Sequence, residues 1–383
     1  MERLTAYRNA DGSVGIRRHV LVLALSAFCS TTARLIGEMV AGTTVLTHPH
    51  GRNEVGINRH RLQRTLTGIV SNGNVHSVLV VGYEREGTER FVESLRQATR
   101  KRVESVVLLD CGGSWAAALD GARRASDLVL EASDSERSEV EWSGLKIGVK
   151  CGGSDGSSVV AANPVLGRCT DWLVERGATV VFSETTEIIG AEHLLARRAV
   201  TPEVGKRIVE AARHNLASAR EAGVDLLGTN PVPDNIAGGI TTIEEKALGA
   251  IRKTGTGPIH GVVEYGEPPD GPGLYFMDSP SGAHEVMSGL AAAGCHAVLF
   301  ATGTCNPVGN LLMPVVKVCG NREWVRRMAD HVDVDVSDVV EEGMSVEAAA
   351  ARVMERLERV VRGALTRSEI CRHVEFSVVP TGL

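Results

Sequence analysis

Several common sequence features are missing from this 383-residue chain, and each absence excludes a class of protein. No block rich in Lys and Arg occurs and the formal net charge is −6, so neither nucleic acid nor an anionic membrane surface is expected as a partner. No apolar run reaches the ~20 residues of a membrane span, and the apolar residues 20–25 are too few for a signal peptide. The Gly-x-Gly-x-x-Gly and Walker patterns are also missing, so no nucleotide is expected.

The eight cysteines include no Cys-x-x-Cys pair and are scattered along the chain. Without secretory features, this distribution predicts reduced thiols and a cytoplasmic protein. Cys169 and Cys295 have the surroundings of small core residues. Cys111, Cys151 and Cys305 differ, because each follows a predicted strand, beside glycine or in a polar turn.

Strand-like and helix-like runs alternate along the chain, as in residues 76–82, 89–100 and 103–110. This rhythm is typical of βαβ units with a parallel sheet. The length favours two domains, which we predict at residues 1–140 and 141–383, with the polar stretch 134–141 as linker. The expected fold class is therefore α/β: two Rossmann-like domains with mostly parallel sheets and a C-terminal amphipathic helix within residues 345–371.

Polar side chains follow two neighbouring apolar runs of the second predicted domain. Cys151-Gly152-Gly153-Ser154-Asp155 comes after residues 145–149, and Ser183-Glu184-Thr185-Thr186-Glu187 comes after residues 178–182, with Glu192-His193 shortly beyond. The carboxyl ends of parallel strands meet at one edge of a sheet, where ligands bind. Sulfur, carboxylate and imidazole groups together predict a divalent metal site or an acid/base site.

Other interpretations of these residues remain open. Glu192 and His193 also fit an exposed helical pair, and Glu184 or Glu187 fits the first turn of a helix. Cys151 also fits a packed core thiol. His48 and His50 alternate along an extended segment and could both face one site.

Several motifs of the chain, in order, resemble the altronate/galactarate dehydratase family, and the resemblance extends roughly from Thr47 to Phe376. The motifs are Cys151-Gly152-Gly153-Ser154-Asp155, Ala162-Asn163-Pro164-Val165-Leu166-Gly167, Ser183 to Leu195, Arg197-Arg198-Ala199, Thr242 to Gly249, Phe276-Met277-Asp278-Ser279-Pro280 and Ala301-Thr302-Gly303-Thr304. The resemblance implies a metal-dependent lyase acting on a hydroxy acid.

The resemblance also implies a partner. Full-length members carry a small N-terminal SAF domain, whereas here the matching region starts within the first 50 residues. This layout resembles two-chain members, in which the small domain is a separate subunit. Among them is the large subunit of (2R)-sulfolactate sulfo-lyase, an enzyme that releases sulfite and pyruvate. We therefore expect a small SAF-domain subunit, a small hydroxy-acid substrate and an oligomeric assembly.

Two loops depart from the family pattern. The loop after Thr47 usually carries a Gly-Cys pair and here reads His48-Pro49-His50-Gly51. The turn after Val81-Gly82 usually has a cysteine before its glutamate and here begins with Tyr83-Glu84. Either His48 or His50 takes over a role of these cysteines, or the metal site differs in this chain.

These considerations assign candidate roles. β-Elimination needs a base, stabilisation of an enediolate and assistance to the leaving group. A divalent metal would stabilise the enediolate. The catalytic candidates are Glu184, Glu187 and His193; the metal-ligand candidates are Cys151, Asp155, Glu192, His48 and His50; the substrate-binding candidates are Ser154, Asp155, Arg197, Lys246, Thr302 and Asn306. The expected metal is Fe²⁺, with Mn²⁺ as the alternative.

Three functions fit this pattern. The first expectation is a catalytic large subunit that removes water from a sugar acid to give a 2-keto-3-deoxy acid. The second is a (2R)-sulfolactate sulfo-lyase large subunit. The third is a non-catalytic partner of a separate SAF-domain subunit.

Overall fold

Apolar strands and amphipathic helices alternate along the chain in the computed structural model, which describes residues 3–51, 54–224, 226 and 230–378. The strands are β1 Leu4–Arg8, β2 Val14–Gly15, β3 His19–Ala24, β4 Thr43–Leu46, β5 Val75–Gly82, β6 Arg102–Val107, β7 Ser138–Val140, β8 Lys146–Cys151, β9 Thr179–Phe182, β10 Ile259–Val263, β11 Gly273–Met277, β12 Ala297–Thr302, β13 Val315–Cys319 and β14 Val334–Asp335. The helices are α1 Ser30–Met39, α2 Gly56–Ser71, α3 Arg85–Ala98, α4 Leu108–Cys111, α5 Ser114–Ser133, α6 Asn163–Glu175, α7 Glu192–Ala196, α8 Pro202–Glu221, α9 Pro233–Ala237, α10 Ile243–Ala250, α11 Ala283–Ala292, α12 Arg322–Arg327, α13 Asp338–Glu341, α14 Val346–Val361 and α15 Arg367–Ile370.

Two parallel sheets dominate the described part of the chain. The first has the strand order β4-β3-β5-β6, and the second has seven strands in the order β10-β11-β9-β8-β12-β13-β14. A small antiparallel sheet, β2-β1-β7, completes the set. The predicted α/β class with mostly parallel sheets is confirmed, and α14 is the expected C-terminal helix.

Helices cover both faces of the seven-stranded sheet, which explains its continuous apolar runs. Every residue of β9, β11 and β12 is buried. Strands buried on both faces lose the alternation of polar and apolar residues that marks half-exposed strands. Among the described residues, no helix is both long enough and apolar enough to cross a membrane.

Three details differ from the sequence-based expectation. The strand predicted to reach Asp110 ends at Val107, where α4 begins. The predicted linker 134–141 contains β7, because β1 pairs with it. The single helix predicted over residues 187–198 is a 3₁₀ turn at Thr185–Ile188 and then α7, separated at Gly190 by a φ of 97°.

The predicted domain boundary between residues 140 and 141 stays a prediction. β1 lies near the start of the chain and β7 directly before the boundary. Leu4 and Val140 nevertheless belong to the same hydrophobic core as Ile147 of β8. Residues before the predicted boundary thus pack into the hydrophobic core of the seven-stranded sheet.

Candidate active site

The seven-stranded sheet places its polar loops at a topological switch point. β8 connects to β9 on one side, whereas β12 connects to β13 on the other, and β8 and β12 are neighbours. In such sheets the crevice between the carboxyl ends of these two strands is the usual ligand site. A cavity of about 520 Å³ lies there, between the loop after β8 and the loop after β12.

Most of the cavity lining is polar. Lys150, Cys151 and the following glycines and Ser154 come from β8 and its loop, and Thr304, Asn306 and Pro307 come from the loop after β12. The remaining wall contains Thr186, Glu187, Asn230, Val232, Asp234, Asn235, Lys246, Ser281, Gly282 and Ala283. Hydroxyl, amide and charged groups therefore converge on a space suited to a small polar ligand.

Glu184 lies below this cavity, at the end of β9, and is fully buried. Its backbone has a φ of 81°, in the left-handed region that non-glycine residues rarely adopt. One carboxylate oxygen accepts a hydrogen bond from the Lys150 ammonium. The other lies 3.0 Å from the Lys253 Nζ and 3.2 Å from the Cys151 backbone nitrogen, which donates to it. The left-handed backbone therefore places the Glu184 carboxylate where two ammonium groups and one backbone N–H contact it.

Glu187 contacts both the buried Cys151 thiol and Lys246 on the cavity wall. Its Oε2 lies 3.2 Å from the Cys151 Sγ, and its Oε1 lies 3.3 Å from the Nζ of Lys246. Lys246 comes from α10, which starts with a capping box between Thr242 and Glu245. Glu187 and Lys246 thus form an ion pair whose members both line the cavity.

Lys253 is positioned by packing from a distant helix. It lies in the 3₁₀ turn Ile251–Thr254, directly after α10. The Thr170 hydroxyl of α6 donates to the Lys253 carbonyl oxygen, and a Cβ at Gly167 would lie 2.1 Å from the Arg252 carbonyl oxygen. This close approach brings the Lys253 Nζ within 3.3 Å of the Cys151 Sγ.

Three ammonium groups thus surround two carboxylates and one thiol. Burial raises the pKa of the Cys151 thiol to about 12, and the negative charge of Glu187 adds to this effect, so the thiol stays protonated at neutral pH. Burial alone would raise the pKa of Glu187, but Lys246, and after it Lys253 and Lys150, bring it below the ordinary value. Burial likewise opposes the charge of Lys253, but the Cys151 sulfur and the two carboxylates raise its pKa. With a neutral thiol the cluster carries one net positive charge, which favours an anionic ligand.

The structure brings six of the predicted site residues together. Cys151, Glu184, Glu187 and Lys246 form one cluster, and Ser154 and Asn306 line the same cavity. Thr302 is fully buried beside it, and its hydroxyl oxygen accepts a hydrogen bond from the Asn306 backbone nitrogen. Thr302 therefore orients the loop after β12.

Asp155 lies next to the cavity loop and caps the following helical turn. Its Oδ1 accepts hydrogen bonds from the Ser158 backbone nitrogen and the Ser157 hydroxyl, and its Oδ2 accepts one from Asn321. Asp155 is not among the residues that line the cavity. Its predicted roles in metal and substrate binding stay predictions.

Three further candidates lie outside the cavity lining. His193 and Arg197 are exposed on and directly after α7, and the Glu192 carboxylate accepts a hydrogen bond from the Gly190 backbone nitrogen. These positions fit the alternative of an exposed helical segment. Their predicted catalytic, metal and substrate roles also stay predictions.

His48 and His50 lie at the first sheet, in the loop after β4. The His48 Nδ1 accepts a hydrogen bond from the His50 backbone nitrogen, and the His50 ring pairs with Glu54 at 3.2 Å. Burial lowers the pKa of His48 to about 4, and the neighbouring His50 adds to this effect. Neither histidine lines the cavity of the second sheet, and their metal role stays a prediction.

Lys150 and Lys253 are the residues of the cluster that the sequence-based reasoning missed. Lys150 is a charged residue inside an apolar strand, and that position could have drawn attention to it. Lys253 offers no such feature, because Arg252-Lys253-Thr254 looks like an ordinary helix end. Its role depends on the packing of α6 against the turn that carries it.

The donor atoms of the cluster fit a metal ion. Among the described residues, Cys151, Glu184 and Glu187 could hold one, because the Sγ and one oxygen of each carboxylate all lie within 4.8 Å of one another. A thiolate with carboxylates suits a borderline-soft divalent ion better than Mg²⁺. Lys150, Lys246 and Lys253 contact the same groups, so they would compete with a metal for these ligands.

Comparison with known proteins identifies the family of the chain. Residues 6–133 match the family model of the D-galactarate dehydratase/altronate hydrolase second domain, and residues 142–383 match that of the D-galactarate/altronate dehydratase C-terminal domain. The chain belongs to this dehydratase family. The cavity of the second sheet, with its buried cluster, therefore lies in the part of the chain that matches the C-terminal domain of the dehydratase family.

Two relatives illustrate the range of the dehydratase family. The chain is 40% identical to the (2R)-sulfolactate sulfo-lyase subunit beta of Chromohalobacter salexigens, over 97% of this chain and 95% of that protein. It is 31% identical to the altronate dehydratase of Bacillus subtilis, over 98% of this chain and 77% of that enzyme. These named relatives are lyases, and this chain is accordingly a lyase.

Proposed function

We propose that this chain is the catalytic large subunit of a lyase that eliminates a β-substituent from a 2-hydroxy carboxylic acid. The observation that carries the proposal is the Glu187–Lys246 pair on the wall of a polar cavity, above a buried cluster with net positive charge. A negatively charged substrate is favoured by this charge. The pair supplies a proton acceptor and a proton donor at the same place.

The reaction follows from these two groups. The Glu187 carboxylate, held by Lys246, takes the proton from the hydroxyl-bearing carbon next to the substrate carboxylate, and the electrons of that bond move into an enediolate. The substituent on the next carbon then leaves with its bonding electrons. The resulting enol takes up a proton and becomes the 2-keto acid. Amide and hydroxyl groups of Asn306, Thr304 and Ser154 hold the substrate in the cavity.

Cys151, Glu184 and one carboxylate oxygen of Glu187 would hold a divalent metal, which we propose to be Fe²⁺, with Mn²⁺ as the alternative. The other Glu187 oxygen, beside Lys246, would remain for the proton transfer. A bound metal would supply Lewis-acid polarisation of the substrate carboxylate and hydroxyl. Elemental analysis of protein purified without oxygen tests this assignment. Cys151→Ser should lower the iron content, whereas Cys295→Ser, a second buried cysteine, should retain it.

The first candidate for the leaving group is sulfite, from a 3-sulfo-2-hydroxy acid. The support is the 40% identity to a sulfolactate sulfo-lyase subunit over nearly the whole length of both chains. The second candidate is water, from a sugar acid, as two altronate dehydratases with 31% and 29% identity suggest. Departure of water needs a proton donor, and Lys246 beside Glu187 fits that need.

We also propose a small partner subunit with the SAF fold. The sulfo-lyase relative is named as a subunit and matches this chain nearly end to end. In two altronate dehydratases, about a quarter of the protein lies outside the part that this chain matches.

The test is turnover without oxygen, using this chain, the SAF-type protein of the same organism and ferrous iron. Sulfolactate, altronate and galactarate are offered in turn, and sulfite and 2-keto acid are measured. Sulfite together with pyruvate from sulfolactate supports the first candidate. A 2-keto acid from a sugar acid alone supports the second. Neither product, with no metal bound, would leave the chain as a non-catalytic partner.

A further inference from the structure

Two buried cysteines face each other behind the wall of the cavity. The Sγ atoms of Cys305 and Cys319 lie 3.5 Å apart, and both residues are fully buried. They belong to a small apolar cluster with Val332, Trp324 and Met328. None of these residues takes part in the Glu187–Lys246 chemistry.

The topology of the sheet brings Cys305 and Cys319 together. Cys319 is the last residue of β13, and it pairs with Thr302 at the end of β12. Cys305 comes three residues after Thr302, and its φ of 56° turns the chain sharply at that point. An ordinary residue in the left-handed region is held there by its surroundings. The backbone therefore places the two thiols at the same edge of the sheet.

Cys305 lies in the chain between two residues that line the cavity. Its neighbours Thr304 and Asn306 both line the cavity. The Lys317 ammonium donates a hydrogen bond to the Asn306 carbonyl oxygen, so a cation is fixed close to the thiol pair. Access of a small molecule from the cavity to the buried Cys305 would require a local movement of this loop.

The two thiols differ in character. The hydrogen bond with Cys319 lowers the pKa of Cys305, and the charge of Lys317 adds to this effect against the influence of burial. The same hydrogen bond and burial raise the pKa of Cys319. Because the thiolate is the form that reacts with oxidants, Cys305 is the nucleophile of the pair and Cys319 the second, resolving thiol.

We propose that Cys305 and Cys319 form an oxidisable dithiol that peroxide converts into a disulfide. The Cys305 thiolate attacks one peroxide oxygen, the O–O bond breaks, and Cys305 becomes a sulfenic acid while water leaves. The Cys319 sulfur then attacks the Cys305 sulfur and a second water leaves. Two thiols and one hydrogen peroxide thus give one disulfide and two waters, with both electrons passing to the peroxide.

Formation of this disulfide would change the cavity wall. A disulfide sulfur pair is about 2.0 Å apart, so the loop after β12 must move toward β13. That movement would displace Thr304 and Asn306, which donate hydrogen bonds to Gly153 and Thr302, and Asn306 also accepts one from Lys317. Oxidation is therefore expected to weaken substrate binding, and reduction is expected to restore it.

The experiment is peptide mass mapping of the whole protein after treatment with hydrogen peroxide. A Cys111→Ser/Cys371→Ser background removes the two cysteines that are not fully buried. We expect a cross-linked pair of peptides, carrying Cys305 and Cys319, that is two hydrogens lighter than the separate peptides. Titration of the denatured protein should show four thiols instead of six, and a dithiol reductant should restore all six.

Single serine variants make the test specific. Cys305→Ser and Cys319→Ser should each abolish the cross-link, whereas Cys295→Ser, a buried cysteine outside the pair, should keep it. Circular dichroism checks that each variant is folded. Independent oxidation of Cys305 and Cys319 to sulfonic acids, or six remaining thiols after peroxide, would overturn the proposal. These readouts do not depend on the proposed lyase activity.

Discussion

The fully buried Lys253 ammonium compensates the charge of the Glu184 carboxylate. Breaking a buried ion pair by removing one partner costs about 3–5 kcal/mol, and of the two ammonium groups at Glu184 only that of Lys150 would remain. Lys253→Met is therefore expected to lower the free energy of unfolding by about that amount. Urea denaturation followed by circular dichroism measures the change.

Two further variants separate charge from packing. Lys206→Met breaks an exposed pair with Glu210 and should change the free energy of unfolding by less than about 1 kcal/mol. Adding Glu184→Gln to Lys253→Met would leave the buried Lys150 ammonium without its carboxylate partner, so the double variant should not recover the loss. Equal stability of the Lys253→Met and Lys206→Met proteins would show that the buried charge contributes nothing.

Glu187 is the residue on which the proposed proton transfer depends. Glu187→Gln keeps the shape of the side chain but cannot accept the substrate proton, so kcat should fall by about 10²–10⁴. The exposed Glu203→Gln is the control. His193→Ala tests the competing base and should retain turnover, because the exposed His193 does not line the cavity. A kcat loss in His193→Ala as large as in Glu187→Gln would return the base role to His193.

At the scale of the elements, the loops after β8 and β12 hold each other. The Gly153 carbonyl oxygen accepts hydrogen bonds from the Gly303 and Thr304 backbone nitrogens, at 2.9 and 3.0 Å. Gly153 has a φ of 61°, and a Cβ there would lie 2.4 Å from the Thr304 Oγ1. Glycine is therefore required by both the backbone conformation and the close approach.

Gly153→Ala should separate these two loops. We expect KM to rise at least tenfold, because Thr304 and Asn306 lose their positions on the cavity wall. Gly112→Ala is the matched control, since Gly112 also has a positive φ, 80°, but a Cβ there meets no atom within 4 Å. Both variants should lose about 1–2 kcal/mol of stability from the backbone alone. A KM equal to that of Gly112→Ala would contradict the proposed role of the loop contact.

At the scale of the whole molecule, His296 lies where the two parallel sheets meet. Its Nδ1 accepts a hydrogen bond from the Lys146 backbone nitrogen at the start of β8. The Asn74 side chain, directly before β5, donates to the His296 carbonyl oxygen at 2.9 Å. Burial lowers the pKa of His296 to about 3, and the charge of Lys146 adds to this effect. The folded protein therefore keeps this ring neutral.

Acid should consequently destabilise the fold. An unfolded histidine has a pKa of about 6.5, so below that pH the unfolded chain binds a proton that the folded chain does not. The contribution of His296 is complete above about pH 6.5 and is lost as the pH falls toward 3. Between pH 7 and pH 5 this amounts to about 2 kcal/mol of unfolding free energy.

Urea denaturation at pH 7 and pH 5 checks this expectation. His296→Gln should lose about 2 kcal/mol less than the unmodified protein over this interval, although it starts from a lower stability. The control is His214→Gln, at an exposed position of α8. An identical pH dependence in the unmodified and His296→Gln proteins would exclude His296 as the responsible group.

The sequence alone determined the α/β class, the parallel sheets, the family and four of the six residues of the cluster. The buried strands are continuous apolar runs, and Cys151, Glu184 and Glu187 follow two of them directly. These features are local, because a strand end and the residues that follow it lie within a few positions of each other in the sequence. The rule that ligands bind at the carboxyl ends of parallel strands then predicted where these residues would meet.

Tertiary structure decided the rest, because the remaining groups converge from distant segments. Lys253 contacts a cysteine 102 positions away, and only the close packing of α6 places it there. His193, three residues beyond the break at Gly190, is exposed on a short separate helix instead of continuing the helix predicted from residue 187. Local pattern cannot determine which face of a loop packs inward. That choice depends on how the sheet, α6 and α10 fill the space between them.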